Sequence, residues 1–139
     1  MKKLFYGLLI TIVILLSMYG CMNYFWGDMC GNNIINEIES PNKKLKAVIF
    51  IRDCGATTGY STQVSIIKNK EKLDNESGNI LIMNDKTDNG LTFENGGALV
   101  SALWNNDNEL IISLDVRTDF SLKENSFEEV KINYRKLDF

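Results

Sequence analysis

The chain has 139 residues and a formal net charge of -3, from 15 basic and 18 acidic side chains. That length suits one domain and an additional segment, and the acidic balance argues against nucleic acid as a partner, because phosphate binding needs a clustered Lys/Arg surface. Histidine is absent from the sequence, which excludes Ser-His-Asp and Cys-His catalysis as well as metal sites that depend on histidine ligands.

The N-terminal segment predicts a membrane anchor. Lys2 and Lys3 are followed by an uncharged run over residues 4–27. As a helix this run would be about 36 Å long, which exceeds a hydrocarbon core of about 30 Å. The paired lysines predict a cytoplasmic N-terminus. We therefore expect a transmembrane anchor or signal segment in residues 1–28 and an extracytoplasmic domain in residues 29–139.

Cys21 offers a second interpretation of the same segment. A lipoprotein signal cleaved after Gly20 would leave Cys21 as a lipidated N-terminus, and simple secretion is a third outcome. The apolar stretch continues beyond Cys21, whereas a cleavable signal usually stops near its cleavage site. The pattern therefore favours an uncleaved single-pass anchor, with lipidation at Cys21 as the alternative.

Short apolar or alternating runs separated by turn residues follow the anchor. No window after residue 30 shows helical periodicity, so the sequence predicts an all-β fold. We expect a single, mostly antiparallel domain of about seven strands, either a sandwich or an open curved sheet. The predicted strands are residues 34–39, 45–53, 61–68, 79–83, 98–104, 109–116 and 127–137.

Two cysteines lie near the ends of the first predicted hairpin. Its turn, SPNKK, combines proline and asparagine in the order that a type I turn prefers. If Ser40 faces Lys44 across the turn, the same register places Cys30 opposite Cys54. In an exported domain such a pair is expected to form a disulfide, worth about 3 kcal/mol on the chain-entropy estimate. The alternatives are a reactive Cys54 thiol beside Arg52 and two unpaired thiols.

The segment CGATTGYST joins the second and third predicted strands and is rich in hydroxyl groups. A small polar binding site is one interpretation, because glycine backbone amides and hydroxyls could converge there. The other is a tight connection whose hydroxyls bond local backbone groups. The candidate lining residues are Gly55, Thr57, Thr58, Gly59, Ser61 and Thr62.

The longer stretch RDCGATTGYSTQVSII resembles a family of small bacterial membrane-anchored proteins of unknown function that carry a Cys-Gly-Ala-Thr-Thr motif. The resemblance extends from about Cys30 to about Leu137 and includes CGNNIINEI, SPNKKLKAVIF, GNILI and WNNDNELIISL. It implies an N-terminal membrane segment and this β architecture, and it carries no established activity.

These features predict a non-enzymatic, membrane-tethered extracytoplasmic domain that interacts with another envelope protein, because an open sheet edge can accept a partner strand. A small-ligand or ion-binding domain that uses the CGATT loop is the alternative, and a cysteine-dependent enzyme is a third hypothesis. No cofactor, metal site or nucleic-acid partner is predicted.

Overall fold

The computed structural model describes residues 2–27, 30–55, 59–84, 97–114 and 119–137, with the helical side chains described from residue 6 to residue 21. The chain divides into two compact units, Met1–Cys30 and Gly31–Phe139.

The first unit is one helix, α1, from Lys2 to Gly27. Its polar side chains bond back to the helix: Thr11 Oγ1 donates to the Leu8 carbonyl at 2.8 Å, and Ser17 Oγ donates to the Ile14 carbonyl at 2.8 Å. The described helical side chains are exposed. Over the described residues, no helix combines the length and apolarity that a membrane crossing requires. This finding does not support the predicted transmembrane helix, which stays a prediction.

The second unit is all-β, as predicted. Nine strands are described, two more than expected. They are β1 (Gly31–Glu39), β2 (Leu45–Asp53), β3 (Tyr60–Lys68), β4 (Leu81–Asn84), β5 (Val100–Asn106), β6 (Glu109–Leu114), β7 (Asp119–Lys123), β8 (Ser126–Phe127) and β9 (Val130–Lys136).

The strands form two sheets. A five-stranded sheet has the order β1-β2-β3-β4-β7, and a four-stranded sheet has the order β5-β6-β9-β8. Neighbours pair antiparallel except β6 and β9, which are parallel. One hydrophobic core contains buried residues from both sheets, including Ile49 and Val64 from the first and Leu110 and Ile112 from the second. The sandwich alternative is therefore the correct one.

The additional strands lie in the last third of the chain. β7 has an alternating burial pattern, with Phe120 and Leu122 partly buried. The predicted strand over residues 127–137 begins only at Val130, because Glu128 has a φ of 50° and positive φ interrupts an extended strand. Phe127 instead pairs with Val130 across that turn.

Candidate functional site

Cys30 and Cys54 are joined in a disulfide, which confirms the predicted pairing. The register that produces it differs from the prediction. At the turn, Ser40 faces Leu45 rather than Lys44, and the Ser40 amide donates to the Leu45 carbonyl at 2.9 Å. At the other end of the hairpin, Gly31 faces Asp53.

A β-bulge between Ile34 and Asn36 reconciles the two ends. Without it, the register set at the turn would carry Gly31 to the position opposite Cys54. The extra residue, Ile35, shifts β1 by one position, so that Cys30 reaches Cys54. The isoleucine is also used in packing, since Ile35 lies partly buried against the core.

Next to the disulfide, Arg52 forms a network with a covering segment. Its Nη1 donates to Asn32 Oδ1 at 2.7 Å and to the Glu76 carbonyl at 3.0 Å. Asn32 in turn donates to the carbonyls of Asp74 and Glu76. Because Arg52 is engaged in this network and the Cys54 sulfur is in a disulfide, the reactive-thiol interpretation of Cys54 is wrong for this state.

The CGATT loop begins directly after that network. Gly55 and Gly59 have φ values of 94° and 69°, a region that favours glycine. The Gly55 amide donates to Asp53 Oδ1 at 2.9 Å, so a carboxylate rather than a loop hydroxyl bonds the backbone here. Thr57 and Thr58 lie outside the described residues.

The remaining two candidate residues of the loop do not share a surface. Ser61 is partly buried, and its Oγ accepts a hydrogen bond from Gln63 Nε2 at 2.8 Å. Thr62 is fully buried and faces the core beside Ile51. A Cβ at Gly97 would lie 2.6 Å from Thr62 Oγ1, so the glycine backbone packs directly on it. Adjacent strand residues point to opposite faces, so Ser61 and Thr62 cannot line one pocket.

Cys21, the candidate lipidation residue, is a free and exposed cysteine within α1. Its lipidation stays a prediction.

The sheet edges differ in how well they are protected. β1 carries Glu37, Glu39 and the bulge, β7 is bounded by Asp119 and Lys123, and β8 has only two residues. Charges, bulges and short edges all discourage pairing with another chain. β5, with the sequence VSALWNN, has seven residues and no charge. Among the described edge strands, it is the one best suited to accept a partner strand.

One aromatic side chain forms a hydrogen bond at each flank of the sandwich: Trp104 is buried and Tyr134 is half-buried. Trp104 Nε1, on β5, donates to the Ile38 carbonyl of β1 at 2.9 Å. On the opposite flank, the Tyr134 hydroxyl donates to the Glu124 carbonyl at 2.6 Å. Burial, and then the Glu124 charge, raise the pKa of Tyr134 to about 12. Sequence reasoning missed these links, although a buried indole N–H needs an acceptor and so signals one.

The solvent-facing side of the four-stranded sheet begins at β5. Leu103 is 64% exposed and faces Ile111 across the β5–β6 pair. Beside them, the Glu109 carboxylate accepts hydrogen bonds from Asn105 and Asn133. These bonds, the Asn105 bond foremost, hold the pKa of Glu109 below its ordinary value against the opposing effect of desolvation. The Glu109 carboxylate is therefore ionised and hydrogen-bonded, and it lies near the exposed Leu103 side chain.

No family model, curated protein or solved structure matches this chain. The resemblance to the CGATT-containing bacterial family stays a prediction.

Proposed function

We propose that the chain is a membrane-tethered, extracytoplasmic and non-enzymatic domain that binds an extended segment of another envelope protein along β5. The observation that carries this proposal is the uncharged β5 edge with Leu103 exposed at its middle. Strand addition to such an edge gains main-chain hydrogen bonds, and alternate side chains supply specificity.

The membrane tether and the exported location rest on two observations. The run over residues 4–27 is uncharged and follows two lysines, which favours a cytoplasmic N-terminus. The Cys30–Cys54 disulfide is typical of proteins outside the reducing cytosol. A reporter fused after Phe139 tests this part: activity only in the cytoplasm would contradict it.

The chemistry of β5 restricts what the partner segment can be. Leu103 needs an aliphatic or aromatic neighbour across the new strand pair, which contributes about 0.2–1 kcal/mol. A charged residue at that position would lose hydration without finding a counter-charge on β5. The expected partner is therefore an extended, uncharged segment with an apolar residue opposite Leu103.

Site-specific photocrosslinking of the full chain in its native membrane tests the proposal. A photoreactive residue at position 103 should give one discrete adduct, and the same residue at position 34 should not. Ile34 is the matched control, because it is an exposed apolar residue (45%) on the charged edge β1.

A further variant separates strand addition from accidental proximity. Ser101→Lys places a charge on the same side of β5 as Leu103, and it should abolish the adduct while the protein stays folded by circular dichroism. Equal adducts at positions 103 and 34, or an adduct that survives Ser101→Lys, would contradict binding along β5. An adduct with twice the mass of the chain would identify a second copy instead of a different protein.

A further inference from the structure

A cleft of about 850 Å³ lies at the end of the sandwich where the hairpin turns meet. We call it the turn cleft. It is lined by the β1–β2 turn and the end of β3 on one side, and by the β5–β6 and β8–β9 turns on the other. Leu45 and Val130 supply apolar lining. This volume falls in the range of small-molecule pockets, about 300–1,000 Å³.

The two walls of the turn cleft carry opposite charges. Lysines line the wall from the five-stranded sheet, and acidic residues line the wall from the four-stranded sheet. The basic wall contributes Lys43, Lys44, Lys68 and Lys70, and the acidic wall contributes Asp107, Glu128 and Glu129.

The charges of the two walls do not neutralise each other directly. A hydrogen bond from the Asn42 amide to Asp107 Oδ1, at 2.8 Å, links the walls. Lys68 pairs at 3.3 Å with Glu71 of its own wall, and both side chains are largely exposed, so this pair contributes little. Within the described parts of the chain, no ion pair joins a lysine of one wall to a carboxylate of the other.

Two of the charged residues that line the turn cleft have a left-handed backbone conformation. Lys43 and Glu128 have φ values of 55° and 50°, and they are the two non-glycine residues with positive φ in the described chain. Glycine adopts this conformation without strain. Both residues line the turn cleft, one from each wall. Such strain tends to occur at functional sites, and here it keeps an ammonium and a carboxylate at opposing turns.

We propose that the turn cleft binds a small zwitterion, with its anionic group on the lysine wall and its ammonium group on the acidic wall. The apolar lining from Leu45 and Val130 suits a short aliphatic portion between the two charges. The class therefore comprises free amino acids, short peptides with free termini, and small amino-phosphates. This site is separate from the β5 edge, and the two proposals can fail independently.

The test is calorimetric titration of the full chain in detergent with trialanine. N-acetyl-trialanine lacks the ammonium, and trialanine amide lacks the carboxylate. Each blocked peptide should bind about tenfold more weakly than trialanine, because each loses one charge-assisted contact. Phosphoethanolamine in the same titration distinguishes a phosphate ligand from a carboxylate. Failure of trialanine and phosphoethanolamine to bind, or equal binding of blocked and free peptides, would overturn the proposal.

Glycine variants give a second readout that a structural role would not produce. Lys43→Gly and Glu128→Gly should each raise the unfolding midpoint, because strain is relieved, and should each weaken trialanine binding about tenfold. Lys72→Gln and Asp74→Asn are the matched controls, because both residues are exposed and lie outside the turn cleft. Unchanged trialanine binding in both glycine variants would overturn the site.

Discussion

The two ends of the β sandwich are built on different principles. At the end where β1 begins, the Cys30–Cys54 disulfide and the Arg52 network hold the chain. At the other end, about 30 Å away along the nine residues of β1, the turns are held by hydrogen bonds, and two of them carry a charged residue at positive φ. At the cysteine end the distinctive residues stabilise the fold. At the turn end two charged residues adopt a strained backbone conformation. The most recognisable sequence motif and the residues with a strained backbone therefore need not lie in the same part of a protein.

The largest expected effect is loss of the disulfide. Cys30→Ser and Cys54→Ser should each destabilise the protein by about 2–5 kcal/mol, and the double variant should be no worse than either single one. Urea unfolding of the full chain measures the loss. Trialanine binding should be retained in the folded variants, since the turn cleft lies at the opposite end of the sandwich. A double variant much less stable than either single one would mean that the two cysteines act separately.

The bulge allows a change that keeps the cysteine alignment. Deletion of Ile35 removes the extra residue, so β1 should pair with β2 without interruption and Cys30 should still face Cys54. We expect the disulfide to form, with a loss of about 1–2 kcal/mol from the missing partly buried side chain. Peptide mapping under non-reducing conditions checks the bond. Free thiols in this variant would show that the bulge does more than restore register.

The glycine variants at the turn end should increase the stability of the protein, whereas the two preceding changes decrease it. Lys43→Gly and Glu128→Gly should each stabilise the protein by about 1 kcal/mol, because an L-residue in the left-handed region costs about 1–2 kcal/mol. Thermal unfolding of each variant beside the wild type measures the gain. Lys44→Gly is the control, since Lys44 is not among the positive-φ residues; it should not be stabilising. A loss of stability in both test variants would remove the contrast between the ends.

The smallest expected effect on stability comes from Tyr134, which lies on β9 between the two ends of the sandwich. The pKa of Tyr134 is raised from 10.0 to about 12, so the folded state holds this proton more tightly than the unfolded state. Its contribution to stability is complete below pH 10 and is lost as the pH rises toward 12. The urea midpoint of the wild type should therefore fall between pH 10 and 12, and that of Tyr134→Phe should fall less. Equal slopes in the two proteins would mean that the phenol titrates normally.

The sequence was sufficient to predict the structure where several local signals coincide. Strand β2 has its predicted bounds, because a turn precedes a run that is apolar on both faces and a cysteine follows it. The Cys30–Cys54 prediction was correct although the predicted register at the turn was wrong by one residue. The β-bulge offsets that error. It was not predicted, because a bulge has no characteristic residue type. β7 and β8 were missed because strands of five and two residues provide too short a pattern.

The candidate sites were harder to predict for a different reason. The CGATT loop stands out because its residues are consecutive, yet strand alternation separates Ser61 from Thr62. The turn cleft collects charges from turns that are far apart in the chain, such as Lys43 and Glu128. Only the order of strands in the two sheets brings these turns together, and a single sequence does not reveal that order.

The same strand order determines how the domain can fold. The chain leaves the five-stranded sheet after β4, forms β5 and β6 in the other sheet, returns for β7, and leaves again for β8 and β9. During synthesis, the β1–β2–β3 meander can form early because its contacts are local. The parallel β6–β9 pair must wait for the synthesis of β9, and such non-local pairing is slow. Neither sheet can be completed without the other, so both should form and melt in a single cooperative transition.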